Sequence, residues 1–127
     1  MATYPAGYHP GHNVPVHHVQ EERVATARIE AGICGFTTTV RAHQDGGSVV
    51  LDVESDCEHV RRLAAALERV EPFREITFRG PGPQVLALAR EHCAHAACPV
   101  PAGILKAVEV AAGLALPRDV TITLSRD

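Results

Sequence analysis

The sequence predicts an α+β domain of two layers, a mostly antiparallel sheet with helices on one face. Three observations predict it. From Ala25 to Val53 apolar side chains recur at every second position in three consecutive runs. After Ser55 the apolar period lengthens to that of a helix, and clusters of Gly and Pro separate the later segments. The expected element order is β-β-β-α-β-α-α-β.

The first strand has Ala25, Ala27, Ile29 and Ala31 alternating with Thr26, Arg28 and Glu30. A tight Gly32-Ile33-Cys34-Gly35 connection leads to a second strand. There Phe36, Thr38, Val40 and Ala42 alternate with Thr37, Thr39 and Arg41, and the β-branched residues favour the pleat. Asp45-Gly46-Gly47 reads as a hairpin turn. Val49, Leu51 and Val53, alternating with Asp52 and Glu54, form the third strand of a meander.

Ser55 then caps a first helix with Val60, Leu63, Ala64, Leu67 and Val70 on its apolar face, ended by Glu71-Pro72. Ile76 and Phe78, opposite Thr77 and Arg79, predict a short fourth strand. After the Gly80-Pro81-Gly82-Pro83 break, a second helix is expected from Gln84 to Cys93 and a third from Pro99 to about Leu114. Pro117 stops it. Ile104, Ala107, Val108 and Ala111 line one face, while Leu105, Ala112 and Leu116 widen the stripe. Residues 100–116 are accordingly a candidate homodimer contact. Val120, Ile122 and Leu124, alternating with Thr121 and Thr123, predict a last strand.

Residues 1–20 carry three prolines and His9, His12, His17 and His18 without periodicity, the pattern of a flexible arm. The remaining 21–127 read as one domain, which suits a chain of 127 residues. Aromatic residues make up only 4% and Trp is absent, so Ala, Val and Leu must supply a closely packed core. With 12 basic and 15 acidic residues the net charge is -3, leaving no basic excess for a nucleic-acid partner. No window has the roughly 18 apolar residues of a membrane span, because Lys106 and Glu109 interrupt Ile104–Leu116. Pro and His occupy the first 20 residues where a secretory signal needs an apolar run. The expected compartment is the cytoplasm, where cysteines are thiols or metal ligands before they are disulfides.

Cys34, Cys57, Cys93 and Cys98 carry the chemistry. No CxxC pair occurs, yet all four fall at the ends of expected elements. Cys34 stands in the glycine-flanked strand connection. Cys57 is in the first turn of the first helix, Cys93 closes the second, and Cys98 takes the cap position of the third beside Pro99. Helix N-termini favour thiolate over thiol. Four thiolates suit a [4Fe-4S] cluster or Zn, with His92 and His95 as possible extra ligands. Because His92 and Cys93 are adjacent on a helix, the wide spacing and glycine flanks fit the bulkier cluster better. Filling of a small-residue core and a Cys93–Cys98 redox pair are the competing readings.

The strings AGICGFTTTV (31–40), ESDC (54–57) and HCAHAACPVPAGILKAVEVAAGLALP (92–117) resemble a family of small uncharacterised proteins found largely in anaerobic bacteria and archaea. The similarity spans roughly Val24 to Thr123. It implies no established activity, though an anaerobic setting suits an oxygen-sensitive cluster.

Other constellations are weaker. His43, His59, His92 and His95 are all possible bases for a catalytic Cys57, and none stands out. Asp52, Glu54 and Asp56 read as a solvated strand end, and Arg61, Arg62 and Arg69 as a wet helix face. Pro81-Gly82-Pro83 lacks the Lys of a phosphate loop. An enzyme acting alone is therefore not expected. The leading expectation is a cysteine-ligated iron–sulfur module for electron transfer or cluster delivery, partnered by another protein such as a redox enzyme. A structural zinc domain for assembly and a metal-free dimeric binding domain are the alternatives.

Overall fold

The computed structural model describes residues 23–127; the expected arm at 1–20 and the first two residues of the expected domain lie outside them. Four strands, β1 (Val24–Glu30), β2 (Thr37–Asp45), β3 (Ser48–Ser55) and β4 (Arg69–Val70), form one antiparallel sheet in the order β1-β2-β3-β4. Four helices, α1 (Glu58–Ala65), α2 (Pro72–Glu75), α3 (Gln84–His92) and α4 (Val100–Ala111), complete the α+β fold. Among them, α4 packs on β1 and β2, α1 packs on β3, and α3 lies against both α1 and α4.

The period-two pattern decides which face of the sheet is covered. Register sets Ala25, Ala42 and Leu51 in one row across β1, β2 and β3, and Ala27, Val40 and Val53 in another. With Ile29, Thr38 and Val49 these residues meet Val60, Leu63, Val85, Val100, Ile104 and Val108 from the helices. The alternate residues stay on the open face, where Arg41 pairs with Asp52 and Arg28 lies opposite Thr39. The Asp45-Gly46-Gly47 turn forms as expected, with Gly46 at φ 63° supplying the left-handed backbone that the hairpin needs.

Close packing shows best at Gly103. Glycine inside a helix destabilises it by roughly 0.5–1 kcal/mol relative to alanine. Here a Cβ would overlap Ile29 Cγ1 and Cδ1, so the absent side chain lets α4 press onto β1.

Five expectations are corrected. The first helix does not reach Val70. It ends at Ala65, and tighter bonds from Ala66 N to Leu63 O (3.1 Å) and Leu67 N to Ala64 O (3.0 Å) turn the chain into β4. Leu67 and Val70 remain buried because turn and strand direct them into the same core, Val70 opposite Val49. Pro72, expected only to end a helix, opens α2 at its first position.

The fourth strand is Arg69–Val70, not Ile76–Phe78. Thr77 Oγ1 accepts from Arg79 N at 3.1 Å, a local turn that competes with extended pairing. Ile76 and Phe78 are exposed.

α4 ends before Pro117. Ala112 caps it, Gly113 adopts φ 76°, and Leu114 N and Gly113 N donate to Glu109 O (2.8 Å) and Val110 O (3.0 Å). This is the Schellman termination. The last strand, at Val120–Leu124, does not form, and these three apolar residues are exposed.

Candidate metal centre

The sheet topology brings the four cysteine-bearing segments to one end of the molecule. Ile29, Thr38 and Ser55 are in register across β1, β2 and β3. The β1–β2 connection carrying Cys34 and the segment carrying Cys57 therefore leave the sheet at the same end. Gly103 against Ile29 fixes the beginning of α4 there too, and with it Cys98.

Cys34 sits in a three-residue helical turn, Gly32–Cys34, closed by Gly35 N to Gly32 O (2.9 Å) and Ala31 N to Phe36 O (3.0 Å). Gly32 (φ 82°) and Gly35 (φ 76°) supply left-handed backbone at both ends, and Cys34 is exposed.

Cys57 is the N-cap of α1 rather than a residue of its first turn, and its carbonyl accepts from Arg61 N at 3.0 Å. Buried Thr38 donates to Ser55 Oγ at 2.9 Å, and the same oxygen accepts from Cys57 N at 3.1 Å. Ser55 thus fixes the chain just before Cys57 instead of capping the helix amides. Arg61 adds to this. Its Nε donates to Ser55 O at 2.7 Å and its Nη2 to Asp56 Oδ1 at 3.4 Å. The expected wet helix face holds for Arg62, paired with exposed Glu58; Arg69 is exposed too but belongs to β4, where it pairs with Asp45. Arg61 has the further task of clamping the Cys57 segment.

Cys93 is the C-cap of α3, its N–H donating to Ala89 O at 2.8 Å. Cys98 N donates to His95 O at 3.2 Å, closing the short loop. Pro99, not Cys98, is the N-cap of α4, so Cys98 stands one residue outside the helix. Proline at the cap carries no side-chain acceptor, so the first amides of α4 have no side-chain cap.

Three of the cysteines are neighbours. The Cys93 thiol is pushed up from 9.0 to about 11, chiefly by burial, then by Cys98 within hydrogen-bonding reach and by Cys57. All three are half-buried against the apolar core. Cys93 and Cys98 open on a hollow of about 460 Å³, together with Arg90, His95 and Pro101. His95 shares this hollow; His92 is outside its lining. The four cysteines are free thiols. Among the described residues, no group of three or more His, Cys, Asp or Glu side chains is drawn together closely enough to hold a metal ion. The thiols are adjacent without forming a closed coordination shell.

Arg90 is the residue of this site that sequence reasoning overlooked. It falls in the last turn of α3 one helical step before Cys93, and that i, i+3 spacing is the signal that marks it. His43, weighed as a base for Cys57, lies opposite Val24 and Val50 at the other end of the sheet. His59 is exposed. Among the described residues no helix is long and apolar enough to cross a membrane.

Residues 25–124 match DUF6951, a family of unknown function. No curated protein and no solved structure matches the chain. The matched span takes in β1 through α4, all four cysteines and the tail as far as Leu124, and on that coverage the chain belongs to DUF6951.

Proposed function

We propose that this protein is a small cytoplasmic metal-binding module that holds a [4Fe-4S] cluster on Cys34, Cys57, Cys93 and Cys98, for electron transfer or cluster delivery to a protein partner. One observation carries the reading: Cys57, Cys93 and Cys98, brought from three different element ends, share one half-buried neighbourhood. Burial and its cysteine neighbours hold the Cys93 thiol protonated, and a bound cationic centre supplies the charge that stabilises its thiolate. The donor set is all sulfur, which suits iron–sulfur chemistry. Cys34, on its glycine-flanked turn at the same end of the sheet, is the fourth donor. Arg90 offers a positive group beside a cluster whose thiolate ligands make it anionic. When bound, a cluster supplies one-electron chemistry. The chain itself contributes the thiolates, the Ser55–Arg61 clamp behind Cys57 and an apolar floor that limits water.

A zinc reading rests on His95, which lines the hollow with Cys93 and Cys98 and completes a mixed Cys/His donor set with Cys57. The test is iron, zinc and acid-labile sulfide per chain on protein purified without oxygen, together with a visible spectrum. Near four iron and four sulfide, lost in single Cys→Ser variants at each of the four positions, is the expected result. About one zinc, retained in Cys34→Ser and lost in His95→Ala, replaces the cluster by the structural site. Absence of both metals removes the proposal.

A further inference from the structure

Of the three neighbouring thiols, Cys93 and Cys98 form a pair from which Cys57 is set apart. Cys98 is within hydrogen-bonding reach of Cys93, whereas the contact with Cys57 is electrostatic only. Both members of the pair line the hollow of about 460 Å³, and Cys57 is outside its lining. The backbone at Cys57 is also held in place. Its N–H donates to Ser55 Oγ at 3.1 Å, and Arg61 Nε donates to Ser55 O at 2.7 Å.

The backbone at the pair is free to adjust. Cys93 is the C-cap of α3, and Cys98 directly precedes the Pro99 cap of α4. Residues 94–97 between them are three alanines and His95, all exposed, in a turn closed by Cys98 N to His95 O at 3.2 Å. Closing a ring over so short a loop removes little chain entropy. A disulfide needs its Cα atoms roughly 5.5 Å apart, and a loop outside both helices reaches that separation without unwinding either.

The hollow also has a chemical preference. Arg90 and His95 stand beside the two thiols, and among the described residues no Asp or Glu contributes to the lining. A cationic wall of this kind favours an anionic visitor. The volume lies within the range of about 300–1,000 Å³ that small-molecule sites occupy.

We propose that Cys93 and Cys98 are a dithiol–disulfide pair, closed by exchange with an anionic low-molecular-weight disulfide that enters the hollow beside Arg90. Cys98, on the loop side, loses its proton to solvent and its sulfur attacks one sulfur of the small disulfide. The S–S bond of the visitor breaks, and its first half leaves as a thiolate that takes up a proton. Cys93 then gives up its proton, attacks Cys98 Sγ and expels the second half, which is protonated in turn. Two protein thiols become one disulfide, and the small disulfide is reduced by two electrons to two thiols. Closure withholds two of the four sulfur donors from the metal centre. That consequence rests on the metal reading, whereas the disulfide is read on metal-free protein and stands or falls by itself.

The test uses the full chain, stripped of metal by a chelator and equilibrated without oxygen in mixtures of reduced and oxidised glutathione. Remaining thiols are alkylated and the chain is cut with trypsin, which releases residues 91–106 with both cysteines in one peptide. As the oxidised share rises, that peptide is expected to lose both alkyl labels and to be two hydrogens lighter than the dithiol. Cys93→Ser and Cys98→Ser are each expected to leave a stable glutathione adduct on the remaining cysteine. Arg90→Ala is expected to close roughly threefold to fivefold more slowly with oxidised glutathione and at an unchanged rate with neutral hydroxyethyl disulfide. A peptide that keeps both labels at every ratio overturns the pair, and so does a disulfide joining it to the peptide of Cys57. An Arg90→Ala chain that closes with oxidised glutathione as fast as the wild type overturns the anionic oxidant.

Discussion

At the scale of single residues, three positions have duties that residue type alone does not announce. Glu75 is 2% exposed, and its carboxylate accepts from Gln84 N (Oε2) and Val85 N (Oε1), each at 2.9 Å. It caps α3 from the preceding helix, because Pro83 at the N-cap position has no side-chain acceptor. Glu75→Ala leaves those two amides without their acceptor and is expected to lower stability by about 1–3 kcal/mol, read by urea denaturation. Gly103→Val drives a branched side chain into Ile29 and is expected to cost about 1–3 kcal/mol by the same measurement.

Cys93 makes a chemical prediction. Its raised pKa keeps the thiol protonated at neutral pH, whereas Cys34 is exposed, so alkylation of metal-free protein at pH 8 is expected to label Cys34 first and Cys93 last, read by mass spectrometry of timed digests. The sign for stability follows. The folded thiol holds its proton longer than the unfolded one, so its contribution is complete below pH 9.0 and is lost as pH rises toward about 11. Cys93→Ala is expected to flatten that decline.

At the scale of elements, three strands and the positions of α1, α3 and α4 were legible because each has a clean period and a one-sided core. Ala25 to Val53 needed nothing beyond alternation. Element ends were less legible. The spacing of Val60, Leu63, Leu67 and Val70 is helical throughout, but the chain leaves the helix at Ala65 and still delivers Leu67 and Val70 to the core. Burial constrains where a side chain arrives and leaves open which backbone brings it. Gly113 was passed over in favour of Pro117, although glycine beyond the last apolar turn is the stronger stop when it can take positive φ. The segment from Ile76 to Phe78 has strand composition, and the local Thr77 turn outweighs it.

At the scale of the whole molecule, the antiparallel register sets the function proposed here. Single Cys→Ser substitutions at the four positions test the metal centre. Cys57 and Cys93 are 36 residues apart in the sequence, and only the packing of α1 against α3 makes them neighbours. The four cysteines were readable as candidates from their positions at element ends. Their shared end of the sheet was not, nor was the presence of Arg90 and His95 in the hollow, since these follow from how α3 and α4 cross.

The sequence by itself determined the fold class, the covered face of the sheet and the residues able to carry chemistry. Local periodicity and residue type decide those, and both are written along the chain. Tertiary structure decided where the helices stop, that Glu75 rather than a local side chain caps α3, and that Cys57, Cys93 and Cys98 are neighbours. Those outcomes rest on contacts between residues distant in the chain, whose free energy depends on the packing of the whole domain.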